Sequence, residues 1–364
     1  MPGAYCKEPI IDKMNLKPNR VPYNIPMPNN MGVVRYLLAI SVVIAHFNIL
    51  AGGDVPILFT SYSAVGGFFT LSGFLIYGSY LKRGDTYRYI RSRMIRLLPA
   101  YWATVLIFAA ALVGVSTMSA SGYFTSPQFW KYLAANMAFM NFLEPDLPGV
   151  FQSQAISAVN VSLWTMKVEW MLYLSVPAVV WLIRKTKFKA LYVLICIYIF
   201  SICYRLCFHW LHAATGNELY NILGRQFIGQ LMYFYIGVLI YYYLDAFLRH
   251  KWIILSMAVC LSLCSDWIPY FNIIVHPLSF GSLVVWLSMV GKWGTFEGRK
   301  DNVSYNMYLV HAPIIQLVAV SGLMGRVGMW TSFMMAMIAI VFLSVAINVA
   351  VEKPIQRRFT KGRL

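Results

Sequence analysis

Apolar runs long enough to cross a bilayer recur along the whole chain, and no other feature limits its folding as strongly. They fall at roughly 33–51, 62–81, 97–117, 164–183, 189–209, 227–247, 252–266, 272–291, 303–323 and 328–351. A spanning helix needs about 20 mostly apolar residues, because lipid offers no partner for an unpaired backbone group. The 364 residues are 59% hydrophobic and only 12% charged, whereas a soluble domain carries roughly 25% charge. The expectation is an all-α integral membrane protein with about ten transmembrane helices, 252–266 being the shortest. Its 24 Tyr, 23 Phe and 11 Trp suit the aromatic belts at two membrane interfaces.

The net charge of +17 is distributed as membrane anchoring rather than as a nucleic-acid surface. Basic clusters occur at Lys7 to Arg20, Lys82 to Arg96, Arg184 to Lys189, Arg249/Lys251, Lys292 to Lys300 and Lys353 to Arg363. The loops 52–61, 118–163, 210–226, 267–271 and 324–327 carry few. Ten spans put every rich cluster on one side, which places both termini in the cytoplasm. Residues 1–31 are then a Pro- and Asn-rich cytoplasmic tail, with no apolar core and cleavage site of a signal peptide. Residues 32–352 form the membrane domain and 353–364 a basic cytoplasmic tail. The extracytoplasmic loop 118–163, with Trp130, Phe139, Phe142 and Phe151, is long enough for a lid or binding element. The six cysteines lie mostly inside apolar runs, read as small core residues with no disulfide framework.

Within the first span, Arg35 and His46 are eleven residues apart. At 100° and 1.5 Å per residue they lie on one face, about 20° apart around the axis and roughly 16 Å apart along it. Ionisable groups in a span usually face a watery interior and mark a site, although a snorkelling Arg and a hydrogen-bonded His give the same spacing. Glu169 enters the fourth span beside Lys167, where it can orient His46, take its proton or pair with Lys167. Arg93 and Arg96 share a helix face suited to phosphate oxygens, or to positive-inside anchoring. The small residues Gly66, Gly67, Ser72 and Gly73 let another helix or a ligand chain approach the backbone. His311 is a second intramembrane imidazole, and Glu352 at the cytoplasmic boundary reads as structural. There is no phosphate-binding Gly-x-x-x-x-Gly-Lys loop, His-Glu-x-x-His or Gly-x-Ser-x-Gly, which disfavours an ATP-driven pump or a zinc protease.

In this order the segments resemble the acyltransferase-3 family of integral membrane acyltransferases. The resemblance rests on Arg35-x10-His46, on Phe68 to Ile76, and on Arg93-x-x-Arg96 with Pro99 and Tyr101. It continues through Leu163, Trp164, Glu169 and Tyr173, then Ser304, Tyr305, Tyr308 and His311, and ends at Glu352-Lys353-Pro354. Trp170 departs from the pattern, since many members carry a second Glu there. The fused esterase-like domain of some members is not among these residues.

The resemblance implies acyl transfer, usually of acetyl from cytoplasmic acetyl-CoA, to a hydroxyl of a surface glycan or its lipid-linked precursor, such as a lipopolysaccharide O-antigen or capsule. It implies a bacterial inner membrane, with membrane lipids as surroundings and neither a metal nor a nucleic acid as partner. His46 would be general base or acyl carrier, with Glu169 orienting it and Arg35 stabilising negative charge. Arg93, Arg96, Tyr101, Ser72 and Gly73 would hold acyl-CoA. Trp164, Tyr173, Tyr305 and His311 would serve the acceptor or the scaffold. A second class of function is a transporter or flippase for an anionic lipid-linked glycan, which uses the same basic loops but has no reason to cleave a thioester.

Overall fold

A computed structural model describes residues 30–186, 190–291 and 303–361. The tail before Asn30 with Cys6, parts of the basic clusters around 187–189 and 292–302, and the last residues 362–364 lie outside these. The described chain is helical, with no strand among the described residues. The principal helices are α1 (Met31–Ala51), α2 (Ser61–Arg83), α3 (Thr86–Ala111), α4 (Pro127–Met137), α5 (Trp164–Lys185), α6 (Ala190–Thr215) and α7 (Phe227–Tyr242). After these come α8 (Lys251–Leu263), α9 (His276–Met289), α10 (Ser304–Val320), α11 (Met329–Ile347) and α12 (Lys353–Lys361), with short helical turns between.

Among the described residues, six helical stretches are long and apolar enough to cross a membrane: Met31–Ala51, Ser61–Arg83, Thr86–Val115, Trp164–Lys185, Ala190–Thr215 and Met329–Phe359. The other four runs of the sequence form the shorter helices α7, α8, α9 and α10. Local chemistry shortens them. Pro277 lacks the N–H that would continue the turn before α9, and α10 gives way to Gly322 at φ +63, a left-handed backbone that glycine adopts without a Cβ penalty. Large apolar side chains point outward on α6 (Ile199, Phe200), α8 (Trp252, Met257) and α11 (Ile338, Phe342), as lipid-facing surfaces require. Cys196, Cys203, Cys207, Cys260 and Cys264 share this exposure, which corrects the reading of them as core residues. Thiols are apolar enough to sit against lipid as readily as against protein.

The chain divides into two compact units. The first holds Asn30 and Met31, residues 66–86 and residues 175–291, hence most of α2 and all of α6 to α9. Here α2 and α7 meet backbone to backbone. A Cβ added at Gly73 would stand 1.9 Å from the carbonyl oxygen of Phe234, and one added at Gly237 would stand 2.0 Å from that of Thr70. Gly66 and Gly78 receive the rings of Tyr233 and Tyr241 in the same way. Glycine at these positions permits the close approach by which membrane helices associate without a hydrophobic driving force. Ser72 is buried beside them. Gly73, expected to hold acyl-CoA, therefore serves helix packing, the space beside it being filled by Phe234. At the end of α9, the Asn30 amide donates to the carbonyls of Leu287, Val290 and Gly291 at 3.2–3.3 Å, satisfying the final turn.

The second unit holds residues 32–65, 87–174 and 303–361, hence α1, α3, α4, the start of α5, and α10 to α12. It carries most of the residues singled out in the sequence. Two prolines inside helices leave carbonyls of this unit for other side chains to satisfy. Pro313 inside α10 cannot donate to the carbonyl of Leu309, and the amide of Asn160 does so instead at 2.8 Å. Pro177 likewise leaves the carbonyl of Tyr173 without its helical donor, and the Tyr89 hydroxyl supplies one at 2.9 Å.

Candidate active site

The loop 118–163 forms two short helices and then returns to α10. Gln316 donates to the carbonyls of Ile156 at 2.7 Å and Ala158 at 3.3 Å, and Ser162 donates to that of Tyr308 at 3.3 Å. With Asn160 on Leu309, these bonds clamp the loop along one side of α10. Thr165 at the start of α5 donates to the Tyr308 hydroxyl at 3.0 Å. The clamp fixes the stretch that presents His311, which is fully buried at 0% exposure.

His311 faces His46. Nδ1 of His46 lies 2.8 Å from Nε2 of His311, with ring centroids 4.9 Å apart and planes tilted by 31°. Nδ1 of His311 is 2.7 Å from the carbonyl of Tyr308, three residues earlier on its own helix. His46 is half-buried, with one edge of its ring against His311. The sequence treated the two imidazoles separately; the fold joins them. Arg35 is half-buried on the same helix as His46, one turn from its start.

The group hydrogen-bonded to Nδ1 of His46 is His311, where Glu169 was expected. The Glu169 carboxylate accepts from the Tyr173 hydroxyl one turn along α5. Lys167 also leaves Glu169 and lies 4.4 Å over the ring of Phe142, whose exposure is 57%. Trp164 opens α5 and is half-buried.

A second polar cluster forms around Glu352, which is 1% exposed. Its carboxylate pairs with Arg96 and accepts from Asn306 at 3.2 Å, Asn348 at 3.1 Å and Gln356 at 2.9 Å. The turn Asn348–Glu352 is a π-helix, a distortion frequent at functional sites, and Pro354 just beyond it cannot donate to the carbonyl of Ala350. Arg96, expected to hold phosphate jointly with Arg93, thus spends part of its fork on Glu352, while its side chain stays 36% exposed. Arg93 donates to Ser92 at 3.3 Å. Tyr305 donates to the carbonyl of Leu97 at 3.0 Å, joining α10 to the Arg93–Arg96 stretch of α3.

Tyr101 is fully buried, corrected from a ligand contact to a loop anchor. Its hydroxyl donates to the carbonyl of Asn136 at 2.5 Å, and its ring stacks on Phe139 at 4.6 Å. Phe139 and Phe151 sit at φ +62 and +56, strained for side chains of this size and held by the surrounding loop. Burial pushes the Tyr123 phenol of this loop up to about 12, keeping it a neutral donor to the carbonyl of Ala109 at 2.8 Å. Asn160, Asn306, Asn348 and Gln356 were not singled out as functional. The prolines gave the available signal, since each internal proline announces a carbonyl that another group must satisfy.

The Acyltransferase domain family (acyltransferase-3) matches residues 29–351. Nodulation protein 10 of Rhizobium leguminosarum bv. viciae is 29% identical over 174 residues, 44% of this chain and 46% of that protein. The match therefore spans about half the length of that relative. No solved structure matches. All the residues around His46, Glu169 and Arg96 just described, apart from Glu352 and Gln356, fall inside the family match, and with its apolar helices the protein belongs to the acyltransferase-3 family of multi-pass membrane acyltransferases.

Proposed function

We propose that the protein transfers a short acyl group, acetyl in the simplest case, from acyl-CoA to a hydroxyl of a surface glycan or its lipid-linked precursor. The hydrogen-bonded pair of His46 and His311 carries this reading, because it presents an imidazole edge inside a membrane unit of an acyltransferase family. In this account ten segments span a bacterial inner membrane and both termini are cytoplasmic. The loop 118–163 then faces the other side, where a glycan acceptor is assembled. Counting 15 residues from Met31 puts His46 about 22 Å along α1, past the middle of a core about 30 Å thick.

His46 removes the proton of the acceptor hydroxyl as its oxygen attacks the thioester carbonyl. The carbon–sulfur bond then breaks, and the thiolate of CoA leaves with the proton held by His46. Hydroxyl and acyl thioester are thereby converted to ester and thiol with no other reactant. A two-step route, in which His46 carries the acyl group before the acceptor arrives, balances equally. Arg93 and the open side of Arg96 meet phosphates of the donor, and Arg35 stabilises negative charge.

The test uses purified protein in nanodiscs with acyl-labelled acetyl-CoA and a lipid-linked glycan. Label on the glycan with release of free thiol supports transfer. An intact thioester with glycan moved across the bilayer would instead make the protein a flippase, the other reading the basic loops allow.

A further inference from the structure

We infer that His311 is a positioning residue that fixes which nitrogen of His46 acts as the base, in place of the carboxylate that commonly orients a catalytic imidazole. The inference deepens the proposed acyl transfer and rests on it. A backbone carbonyl can only accept, so the 2.7 Å approach of His311 Nδ1 to Tyr308 requires the proton on that nitrogen. A neutral imidazole with Nδ1 protonated has its lone pair on Nε2. That lone pair lies 2.8 Å from Nδ1 of His46, which must therefore donate. His46 is left with an unprotonated Nε2 on its other edge. The Tyr308 carbonyl thus sets both tautomers through one chain of hydrogen bonds.

The arrangement suits a membrane interior. A carboxylate partner would bring a charge whose desolvation must be offset by further bonds, whereas His311 supplies the acceptor while neutral. When His46 Nε2 takes the hydroxyl proton, its Nδ1–H donates more strongly to His311, and the positive charge is spread without a second ion. Pro313 and Asn160 belong to the same device. The proline frees the carbonyl of Leu309 in the turn that presents His311, and Asn160 holds that turn to the loop.

His311→Phe keeps the ring and removes the acceptor; His311→Gln keeps an acceptor oxygen near the position of Nε2. For enzyme in nanodiscs, His311→Phe should lower kcat about 100-fold or more, the scale of a displaced general base, with KM for acyl-CoA within about twofold. His311→Gln should recover at least about tenfold of that loss. Equal kcat in His311→Phe and wild type, or equal losses in the two variants, would overturn the inference. Nitrogen NMR of wild-type protein with labelled histidine, assigned through His46→Ala, needs no variant to remain active. It should show His46 protonated on Nδ1 and bare on Nε2 near neutral pH, and the opposite tautomer would overturn the inference. Absence of thiol release by the wild type would remove the acyltransferase reading while leaving that tautomer measurement standing, so the two failures are distinguishable.

Discussion

His46, His311 and Glu352 are the residues whose polar contacts define the candidate site most sharply. The Arg35-x10-His46 spacing was legible in the sequence because helical geometry alone puts both on one face. The partner of His46 was not, since 265 residues separate it from His311 and no spacing rule spans that distance. Pairing with Lys167 was one of the roles open to Glu169 in the sequence, yet Lys167 lies over the ring of Phe142 and Glu169 accepts from the phenol of Tyr173. Glu352 read as a boundary residue because its four partners come from three separate stretches of the chain. Replacing it with Gln removes the charge that holds Arg96 but keeps the shape. We expect a stability loss of about 1–3 kcal/mol, limited by the solvent that still reaches Arg96, with a raised KM for acyl-CoA. Thermal unfolding in detergent alongside acyl-CoA kinetics measures both; wild-type values of each would remove Glu352 from this role.

Helices behaved as the hydrophobic pattern required wherever a run was long and uninterrupted. Three of the four shorter helices, α7, α9 and α10, are bounded where Tyr243, Pro277 or Gly322 interrupts the helix, and composition over a window does not register such breaks. The glycines of α2 were visible as small residues, but only the approach of α7 decides that they pack helices rather than admit a ligand. The pairing of Asn160 with Pro313 yields a double-mutant cycle. Asn160→Leu should cost about 1–3 kcal/mol by leaving the Leu309 carbonyl buried and unpaired. Pro313→Ala restores the N–H that this carbonyl lacks, so the double variant should regain most of the loss. Unfolding midpoints of the four proteins read the coupling directly, and strict additivity would contradict this account of α10.

Across the whole molecule, sequence and structure agree on an all-helical, multi-pass protein whose basic residues are clustered between apolar runs. Each of the two compact units gathers segments that are distant in the chain, an organisation invisible to any window of sequence. The second unit gathers His46, His311, Glu169, Arg93, Arg96 and Glu352, leaving α2 and α6 to α9 to the first. The proposed chemistry therefore draws on one unit, and the central claim is that its reaction runs through His46. The most direct measurement is free-thiol release from acetyl-CoA by wild type and His46→Ala in nanodiscs, at matched unfolding temperatures. The account predicts acceptor-dependent release by the wild type and a loss of at least about 100-fold in the variant. Release at the wild-type rate from folded His46→Ala would contradict it.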